Sequence, residues 1–301
     1  MRPLPSVAYP FAIPRRFVCQ SPVHYRMAHL QKARVVKHKS NEVEIPNKFL
    51  QGPSPAPVEL KPVPFASSPV PEYKKCFAVT IDNVLSPEEC AQLKQLAEQS
   101  ALPAAKGDPG QSVWRPATVS LATGLEAPAP GYRESDRIVW DSQEITDRLW
   151  ARCCQAEGLK DQLAVMRHRS GQGPGRWEFS HINKRMRFLR YSPGQYFKPH
   201  CDGPYYYEEN GTRFETQYTV HLYLNDLAEV SSESELEGGA TSFLSWDKQR
   251  RIDVNPRAGS VLIFQHKGLL HAGNEVLKGE KFTVRTDLLY KWVEDEALGA
   301  A

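Results

Sequence analysis

The stretch QYFKPHCDG, residues 195–203, places a histidine and an aspartate two positions apart, at His200 and Asp202. Residues i and i+2 of a β-strand point to the same face, so this imidazole and this carboxylate would converge on one side of a sheet. A metal ion and an acid–base pair are the two chemical reasons for such convergence. A single HxD triplet is more often an ordinary surface pair beside a turn, so further residues must decide between these interpretations.

A third candidate ligand is His271, which stands in the stretch LLHAGNEV shortly after the predicted strand SVLIF. Two histidines and one carboxylate with open coordination positions are the ligand set of non-haem Fe(II) oxygenases. Zinc accepts the same three side chains, so the ligand set alone does not choose the metal. His266 is the alternative third ligand, although it lacks the small residues that follow His271.

The stretch KFTVRTDLLY, residues 281–290, has one polar and one apolar face when it is folded as a strand. The polar face carries Lys281, Thr283, Arg285 and Asp287. A buried polar face is costly unless its groups are paired, and a dicarboxylic acid would be a suitable partner for these cations. The alternation therefore favours an anionic ligand inside the fold.

The secondary structure that must position these residues is predicted to be mainly helical before residue 183 and mainly β after it. Ser86 is a good N-cap and Glu89 completes a capping box, so a helix is predicted to follow the strand CFAVTIDNV. A second helix is predicted at about 142–157. From residue 183 onward, short β-rich runs separated by turn signals predict a sandwich or a barrel. The predicted fold class is α+β with a mainly β core.

Six motifs follow one another along the chain: IDNVLSPEEC (81–90), RFLRYSPGQYFKPHCDG (187–203), LYLND (222–226), GGATSF (238–243), AGSVLIF (258–264) and HAGNEVLKGEKF (271–282). In this order they resemble the prolyl 4-hydroxylase-like branch of the 2-oxoglutarate, Fe(II)-dependent dioxygenases. The resemblance implies a double-stranded β-helix, a jelly roll of cupin-like form, at about 183–292 with supporting N-terminal helices. The dioxygenase domain is then expected to comprise residues 74–301.

The same resemblance implies that His200, Asp202 and His271 hold Fe(II). It implies that 2-oxoglutarate and O2 are co-substrates, that ascorbate is bound, and that the iron centre needs no separate acid or base. 2-Oxoglutarate would be decarboxylated to succinate while a C–H bond of a peptidyl (prolyl-type) or small-molecule substrate is hydroxylated. A catalytically silent barrel that serves as a scaffold, and a zinc hydrolase or isomerase, remain as alternatives.

For the co-substrate, the resemblance implies that the lysine ten positions after the distal histidine, Lys281, binds the far carboxylate of 2-oxoglutarate. Arg285 competes for this function, because some relatives use an arginine further along this strand. Residues four apart on a strand are separated by roughly 13 Å, so one of the two is expected to bind it. Tyr191 matches a position that often donates a hydrogen bond to the co-substrate, and Tyr223 is a weaker candidate.

Substrate contacts are expected from Tyr205, Tyr206 and Tyr207, which follow the HxD pair and would form a lid over the iron. Equally, these tyrosines are interpreted as partly packed loop aromatics. Arg187 shares a strand face with Tyr191 and could contact substrate, although a charge on the strand surface is the simpler interpretation.

Composition narrows the function classes. The 301 residues carry a net charge of +3, which gives no case for nucleic acid as a partner. There is no run of about 18 apolar residues to span a membrane. Six cysteines without a CxxC pair favour a reducing compartment, so an intracellular and cytoplasmic protein is expected. No pattern specifies an oligomeric state.

The first 73 residues are unusual in charge and in proline content. The first 41 hold eight Lys or Arg and no acid, which occurs in mitochondrial transit peptides, yet five prolines oppose an amphipathic helix there. Mitochondrial targeting is therefore the minority interpretation. Residues 1–73 are predicted to be a Pro-rich, basic, disordered tail and linker.

Overall fold

The computed structural model of the chain describes residues 33–102, 112–122, 124–167 and 175–295. Within these ranges there are three α-helices, namely α1 (Pro87–Ser100), α2 (Gln143–Cys153) and α3 (Leu159–Ala164). The strands in the same ranges are β1 (Arg34–Val35), β2 (Glu59–Pro62), β3 (Ala78–Asp82), β4 (Arg115–Pro116), β5 (Thr118–Ala122), β6 (Leu125–Pro128), β7 (Asp136–Asp141), β8 (Val165–Arg167), β9 (Gly175–Ile182), β10 (Arg185–Tyr191), β11 (Phe197–His200), β12 (Tyr206–Glu209), β13 (Thr212–Tyr223), β14 (Glu237–Gly238), β15 (Thr241–Leu244), β16 (Arg251–Val254), β17 (Val261–Gln265), β18 (His271–Gly273), β19 (Val276–Lys278) and β20 (Lys281–Glu294).

Two antiparallel sheets form the β core. The larger sheet has the strand order β2-β3-β17-β13-β20-β10-β7-β4, and the smaller sheet has the order β11-β18-β15-β16. The sheets pack face to face, since Phe264 of β17 contacts Phe243 of β15 with ring centroids 5.4 Å apart. Apart from the pairs β2–β3 and β15–β16, neighbours in each sheet are distant in sequence, as in a jelly roll. The predicted mainly β double-stranded fold is confirmed.

The helices cover the outer face of the larger sheet. The apolar stripe of α1, with Cys90 and Leu93, joins one core cluster with Leu149 of α2 and with Phe188 of β10. An ion pair between Arg152 and Glu89 ties the two helices together, with Nη1 and Oε2 2.7 Å apart. The two helices predicted from the sequence are present as α1 and α2, and they pack on the larger sheet.

Helix α1 begins with the capping box that the sequence predicts. The hydroxyl of Ser86 accepts a hydrogen bond from the Glu89 amide at 3.2 Å, and the Glu89 carboxylate accepts one from the Ser86 amide at 2.9 Å. Loss of such a cap costs about 1 kcal/mol. We therefore expect Ser86→Ala to lower the free energy of unfolding in urea by about this amount. Ser86→Thr, which keeps the accepting oxygen, should stay close to the wild type, and equal losses in both variants would contradict the capping explanation.

The N-terminal segment differs from the prediction where the structure describes it. Residues 33–73 pack against the β core rather than forming a disordered tail, and β2 extends the edge of the larger sheet beside β3. Tyr73 is 2% exposed, and its hydroxyl donates to the Leu244 carbonyl at 2.7 Å. The prolines prevent an α-helix, but they leave a largely extended chain with two 3-10 turns, Phe65–Ser67 and Pro71–Tyr73, whose apolar side chains fill gaps in the core. The buried apolar residues of this segment are Phe49, Leu50, Val63, Phe65, Val70 and Tyr73.

Residues 1–32 lie outside the described residues, so the predicted tail there, and a domain boundary near residue 73, stay predictions. Among the helices that the structure describes, none has the length and apolar character needed to cross a membrane.

Candidate metal and co-substrate site

The register of the smaller sheet brings the three predicted metal ligands together. His200 on β11 lies directly opposite His271 on β18, with ring centroids 4.3 Å apart. Asp202 follows β11 by two residues, and the ligand atoms of all three side chains lie within 4.8 Å of one another. The cluster is therefore assembled by strand pairing between segments 71 residues apart in the sequence.

Both imidazoles have the orientation that a metal ligand needs. Nδ1 of His200 lies 2.8 Å from the Lys198 carbonyl, and Nδ1 of His271 lies 3.2 Å from the Leu269 carbonyl. A carbonyl can only accept, so each Nδ1 carries the proton and each Nε2 keeps its lone pair. Burial lowers the pKa of His200 to about 3 and shifts the pKa of His271 in the same direction. Both rings are consequently neutral at physiological pH.

Asp202 supplies the negative charge of the cluster. Its Oδ2 accepts a hydrogen bond from Thr219 at 2.5 Å, and its Oδ1 lies 3.0 Å from Nη1 of Arg285. Burial opposes ionisation, but the Arg285 guanidinium holds the pKa of this carboxyl well below its usual range. Two neutral nitrogens and one carboxylate therefore point at a common position, a donor set that Fe(II) and Zn²⁺ accept.

The larger sheet forms the opposite wall of the cavity. In its register Tyr191 lies opposite Lys281, and His221 lies opposite Arg285. Because side chains alternate along each strand, these residues share the inward face. The residues that line the cavity are Arg133, Leu189, Tyr191, Phe197, His200, Asp202, Thr219, His221, Thr241, Phe264, His271, Ala272, Gly273, Lys281 and Arg285.

Lys281 and Arg285 differ in their partners. Lys281 is 2% exposed, and no carboxylate of the described residues pairs with it. Its Nζ lies over the Tyr191 ring at 5.4 Å, and burial lowers its pKa to about 7. Arg285, by contrast, pairs with Asp202 at 3.0 Å and with Asp287 at 3.3 Å. A buried ammonium without a counter-charge is the group that gains most from a carboxylate ligand, which favours Lys281 as the anchor.

The two predicted tyrosines have different surroundings. Tyr191 lines the cavity between Lys281 and Arg133, and burial raises the pKa of its hydroxyl. The Tyr223 hydroxyl already donates to Thr241 at 2.8 Å, and its ring lies 5.7 Å from Nζ of Lys281. Tyr191 is therefore the better placed of the two to contact a ligand.

The predicted lid tyrosines lie outside the cavity wall. Tyr206 is 64% exposed and Tyr205 is 40% exposed, whereas Tyr207 stacks on Phe214 with centroids 4.9 Å apart. Two of them belong to β12, which pairs with β13, so this part of the chain is a hairpin rather than a loop. A lid formed by these tyrosines stays a prediction.

Arg187 and His266, which the sequence offered as a substrate contact and an alternative metal ligand, both pair with Asp287. Arg187 pairs with Asp287, with Nη1 and Oδ2 3.1 Å apart, and lies opposite Arg285 in the register. Nε2 of His266 lies 3.4 Å from Oδ1 of Asp287, so this alternative third ligand is directed away from the cluster.

Several lining residues were not predicted as site residues, among them Thr219, His221 and Arg133. Thr219 and His221 alternate with Tyr223 on one face of β13, and this alternation was the available signal. No sequence signal pointed to Arg133. It lies in the connection before β7 and reaches the cavity because its backbone forms an isolated β-bridge with Phe197. Its guanidinium lies 4.8 Å from the centre of the Phe197 ring, and that ring stacks on His200 at 3.7 Å.

Comparisons with known sequences agree with this geometry. Residues 186–286 match the family model described as the 2OG-Fe(II) oxygenase superfamily. Prolyl 4-hydroxylase 1 of Arabidopsis thaliana is 30% identical over 132 residues, which cover 37% of this chain and 41% of the relative. The matched segment thus spans less than half of that relative's length.

Solved structures similar to this chain include two oxygenases. The viral collagen prolyl hydroxylase of Paramecium Bursaria Chlorella virus-1, solved with 2-oxoglutarate, is 21% identical with a TM-score of 0.42, covering 71% of this chain and 95% of its own. An oxidoreductase of the 2OG-Fe(II) oxygenase family from Burkholderia pseudomallei is 13% identical with a TM-score of 0.42, covering 70% of this chain and 84% of its own.

Proposed function

We propose that the protein is an Fe(II)- and 2-oxoglutarate-dependent dioxygenase that hydroxylates a C–H bond, because residues 186–286 match the model of the 2OG-Fe(II) oxygenase superfamily. The observation that carries this proposal is the convergence of His200, Asp202 and His271 in a cavity that also holds an unpaired, buried lysine. A zinc hydrolase would use the same three ligands but gives no reason for the lysine.

The residues that line the cavity fit both Fe(II) and 2-oxoglutarate. Two neutral imidazole nitrogens and a carboxylate suit Fe(II), and the unpaired Lys281 ammonium suits the distal carboxylate of 2-oxoglutarate. When bound, the iron and its co-substrates supply the oxidising chemistry, in which 2-oxoglutarate yields succinate and carbon dioxide while the substrate gains a hydroxyl group. Ascorbate, which keeps such iron reduced, is the expected auxiliary reductant.

The side chains of the protein orient the metal ligand Asp202, bind the co-substrate and exclude water from the cavity. Thr219 and Arg285 hold the two oxygens of Asp202, so the carboxylate is oriented before the metal arrives. Lys281 binds the co-substrate and Tyr191 is positioned to donate a hydrogen bond to it. The apolar residues Leu189 and Phe264 line the same cavity, which keeps water away from the reacting groups.

A pH dependence follows from the pKa of Lys281. A carboxylate binds the ammonium form, and this form predominates below a pKa of about 7. We expect the affinity for 2-oxoglutarate to be level between pH 6 and 7 and to fall by up to about tenfold per pH unit above pH 7. Anaerobic calorimetric titration at several pH values measures this, with Lys281→Arg, which stays charged, as the variant expected to remain level. An affinity that is constant to pH 9 in the wild type would contradict the assignment.

Two substrate classes are proposed, a peptidyl proline and a small molecule. The first class is proposed because the similar Arabidopsis thaliana protein is a prolyl 4-hydroxylase. We propose to incubate the protein with Fe(II), 2-oxoglutarate, O2 and ascorbate and to follow succinate by NMR, with and without a poly-L-proline peptide. Iron-dependent succinate formation that a substrate accelerates is the expected result. Absence of succinate formation in folded, iron-loaded protein under every condition would overturn the proposed function.

A further inference from the structure

Three arginine side chains meet beside the metal-ligand cluster. Arg133, Arg187 and Arg285 are called the guanidinium cluster below. Arg187 and Arg285 are opposite one another in the register of β10 and β20, while Arg133 and Arg285 line the cavity. Burial lowers the pKa of Arg133 to about 10, and the positive charges of Arg285 and Arg187 act in the same direction. Arg133 and Arg285 therefore share the cavity, and Arg187 stands beside Arg285 at the same level of the sheet.

One carboxylate serves two members of this cluster. Oδ2 of Asp287 lies 3.1 Å from Nη1 of Arg187, and Oδ1 lies 3.3 Å from Nη2 of Arg285. Asp287 is 3% exposed, and the opposing guanidinium groups hold its pKa low despite its burial. Its single negative charge leaves one guanidinium without a full counter-charge.

The other carboxylate near Arg285 is Asp202, which the proposed function assigns to the metal. Nη1 of Arg285 lies 3.0 Å from Oδ1 of Asp202. A metal cation on this carboxylate draws on the same negative charge and so weakens its attraction for the arginine. Moreover, Nε of Arg285 is buried and has no hydrogen-bond partner among the described residues. Arg285 thus keeps donor capacity that no group in the described part of the chain uses.

Arg133 has only neutral partners among the residues that the structure describes. Its Nη1 donates to the Thr118 carbonyl at 3.1 Å, and its Nε donates to the Ser135 hydroxyl at 3.4 Å. The side chain lies in the cavity wall, and the residue is 9% exposed. A guanidinium so deeply placed without a carboxylate is costly unless a ligand supplies one.

The charges around the loaded site do not balance. Lys281 and the guanidinium cluster give four cations, and the carboxylates beside them are Asp202 and Asp287. The next cation, Arg137, is already paired with Glu126 at 2.7 Å. Fe(II) and the 2-oxoglutarate dianion carry equal and opposite charges, so they add nothing to this difference. An anionic group on the substrate would reduce this excess of two positive charges to one.

We propose that the substrate carries a carboxylate, which the guanidinium cluster binds beside the metal-ligand cluster with Arg285 as its principal donor. This inference rests on the proposed function and narrows its substrate class. Charge-assisted hydrogen bonds from guanidinium to carboxylate are strong and directional, so the cluster would also orient the substrate for hydroxylation.

The test compares acids with their amides in the anaerobic protein loaded with Fe(II) and saturating 2-oxoglutarate. The probes are three matched pairs, N-acetyl-L-proline, N-acetylglycine and 3-phenylpropanoic acid with their primary amides. Binding is measured by calorimetric titration in the wild type, in Arg285→Gln and in Arg190→Gln. Arg190 is the matched control, because it pairs with Asp136 at 2.8 Å on the opposite face of β10.

We expect at least one acid to bind about tenfold or more tightly than its amide in the wild type and in Arg190→Gln. In Arg285→Gln this preference should fall to within about twofold, while 2-oxoglutarate binds within about threefold of the wild type. Equal binding of acid and amide in every pair, or a preference that persists in Arg285→Gln, would overturn the inference.

The carboxylate that Arg285 binds could belong to the substrate or to 2-oxoglutarate, and the 2-oxoglutarate titration distinguishes these two cases. A large loss of 2-oxoglutarate affinity in Arg285→Gln would assign the arginine to the co-substrate and overturn the substrate inference. If the wild type binds no 2-oxoglutarate, the proposed function and the inference fail together. Normal 2-oxoglutarate binding without a preference for acids overturns the inference alone.

Discussion

Replacing Asp202 by alanine is expected to weaken Fe(II) binding by at least about 100-fold. Changes to groups that only orient metal ligands already cost about 10- to 100-fold, and this change removes a ligand itself. Asp202 is the only carboxylate of the cluster that the described residues form, so the variant leaves two neutral imidazoles. It also takes from the Arg285 guanidinium its nearer carboxylate, 3.0 Å away in the wild type, so that this cation repels the metal more strongly.

Anaerobic equilibrium dialysis of Fe(II) against both proteins measures this effect. Asp161→Ala is the control, because Asp161 is an exposed acid in the first turn of α3 and far from the cluster in the fold. Circular dichroism should establish that Asp202→Ala is folded. Fe(II) affinity within about threefold of the wild type in folded Asp202→Ala would remove Asp202 from the ligand set.

Replacing Lys281 by methionine is expected to raise the dissociation constant for 2-oxoglutarate by at least about 100-fold while Fe(II) still binds. Breaking a buried ion pair by removing one partner costs about 3–5 kcal/mol, since a carboxylate is then left without a counter-charge. Methionine keeps an unbranched apolar stem of similar length between the Tyr191 and Tyr223 rings, so packing is largely preserved.

The same substitution has an opposite effect on the ligand-free protein. Lys281 is a buried cation whose pKa is lowered to about 7 by burial, so its removal should raise the melting temperature of the free protein. Lys291→Met is the matched control on β20, because Lys291 is largely exposed and 3.8 Å from Glu178. Unchanged 2-oxoglutarate affinity in Lys281→Met, with a large loss in Arg285→Gln, would transfer the anchor to Arg285.

The metal cluster could be predicted from the sequence because two of its ligands follow a local spacing rule and the third follows from the family resemblance. The HxD spacing fixes the shared face of His200 and Asp202, and the motif order supplies His271 as their partner. The choice between Lys281 and Arg285 could not be made in this way. It depends on which cation already has a carboxylate, and Arg285 is paired through Asp287 and Asp202, which only the strand register reveals.

The packing of the Pro-rich segment and the position of Arg133 depend on contacts between segments that are distant in the sequence. Proline content correctly excludes an α-helix from residues 52–73, where the structure has only two short 3-10 turns, but it does not decide whether the segment packs. Val70 is fully buried and Phe65 packs edge-on against Phe243 with ring centroids 5.3 Å apart, contacts that the local composition does not encode. Arg133 is a similar case, since its place in the cavity follows from one bridge to Phe197. Tertiary contacts of this kind override local preference.

The most direct test of the proposed chemistry is an anaerobic titration of the metal-free protein with Fe(II) and 2-oxoglutarate, monitored by visible absorption. An iron chelated by 2-oxoglutarate gives a metal-to-ligand charge-transfer band. We expect this band in the wild type, its absence in His200→Ala, and a much higher 2-oxoglutarate requirement in Lys281→Met. A folded wild-type protein that gives no band at saturating Fe(II) and 2-oxoglutarate would contradict the assignment of this cavity as a dioxygenase site.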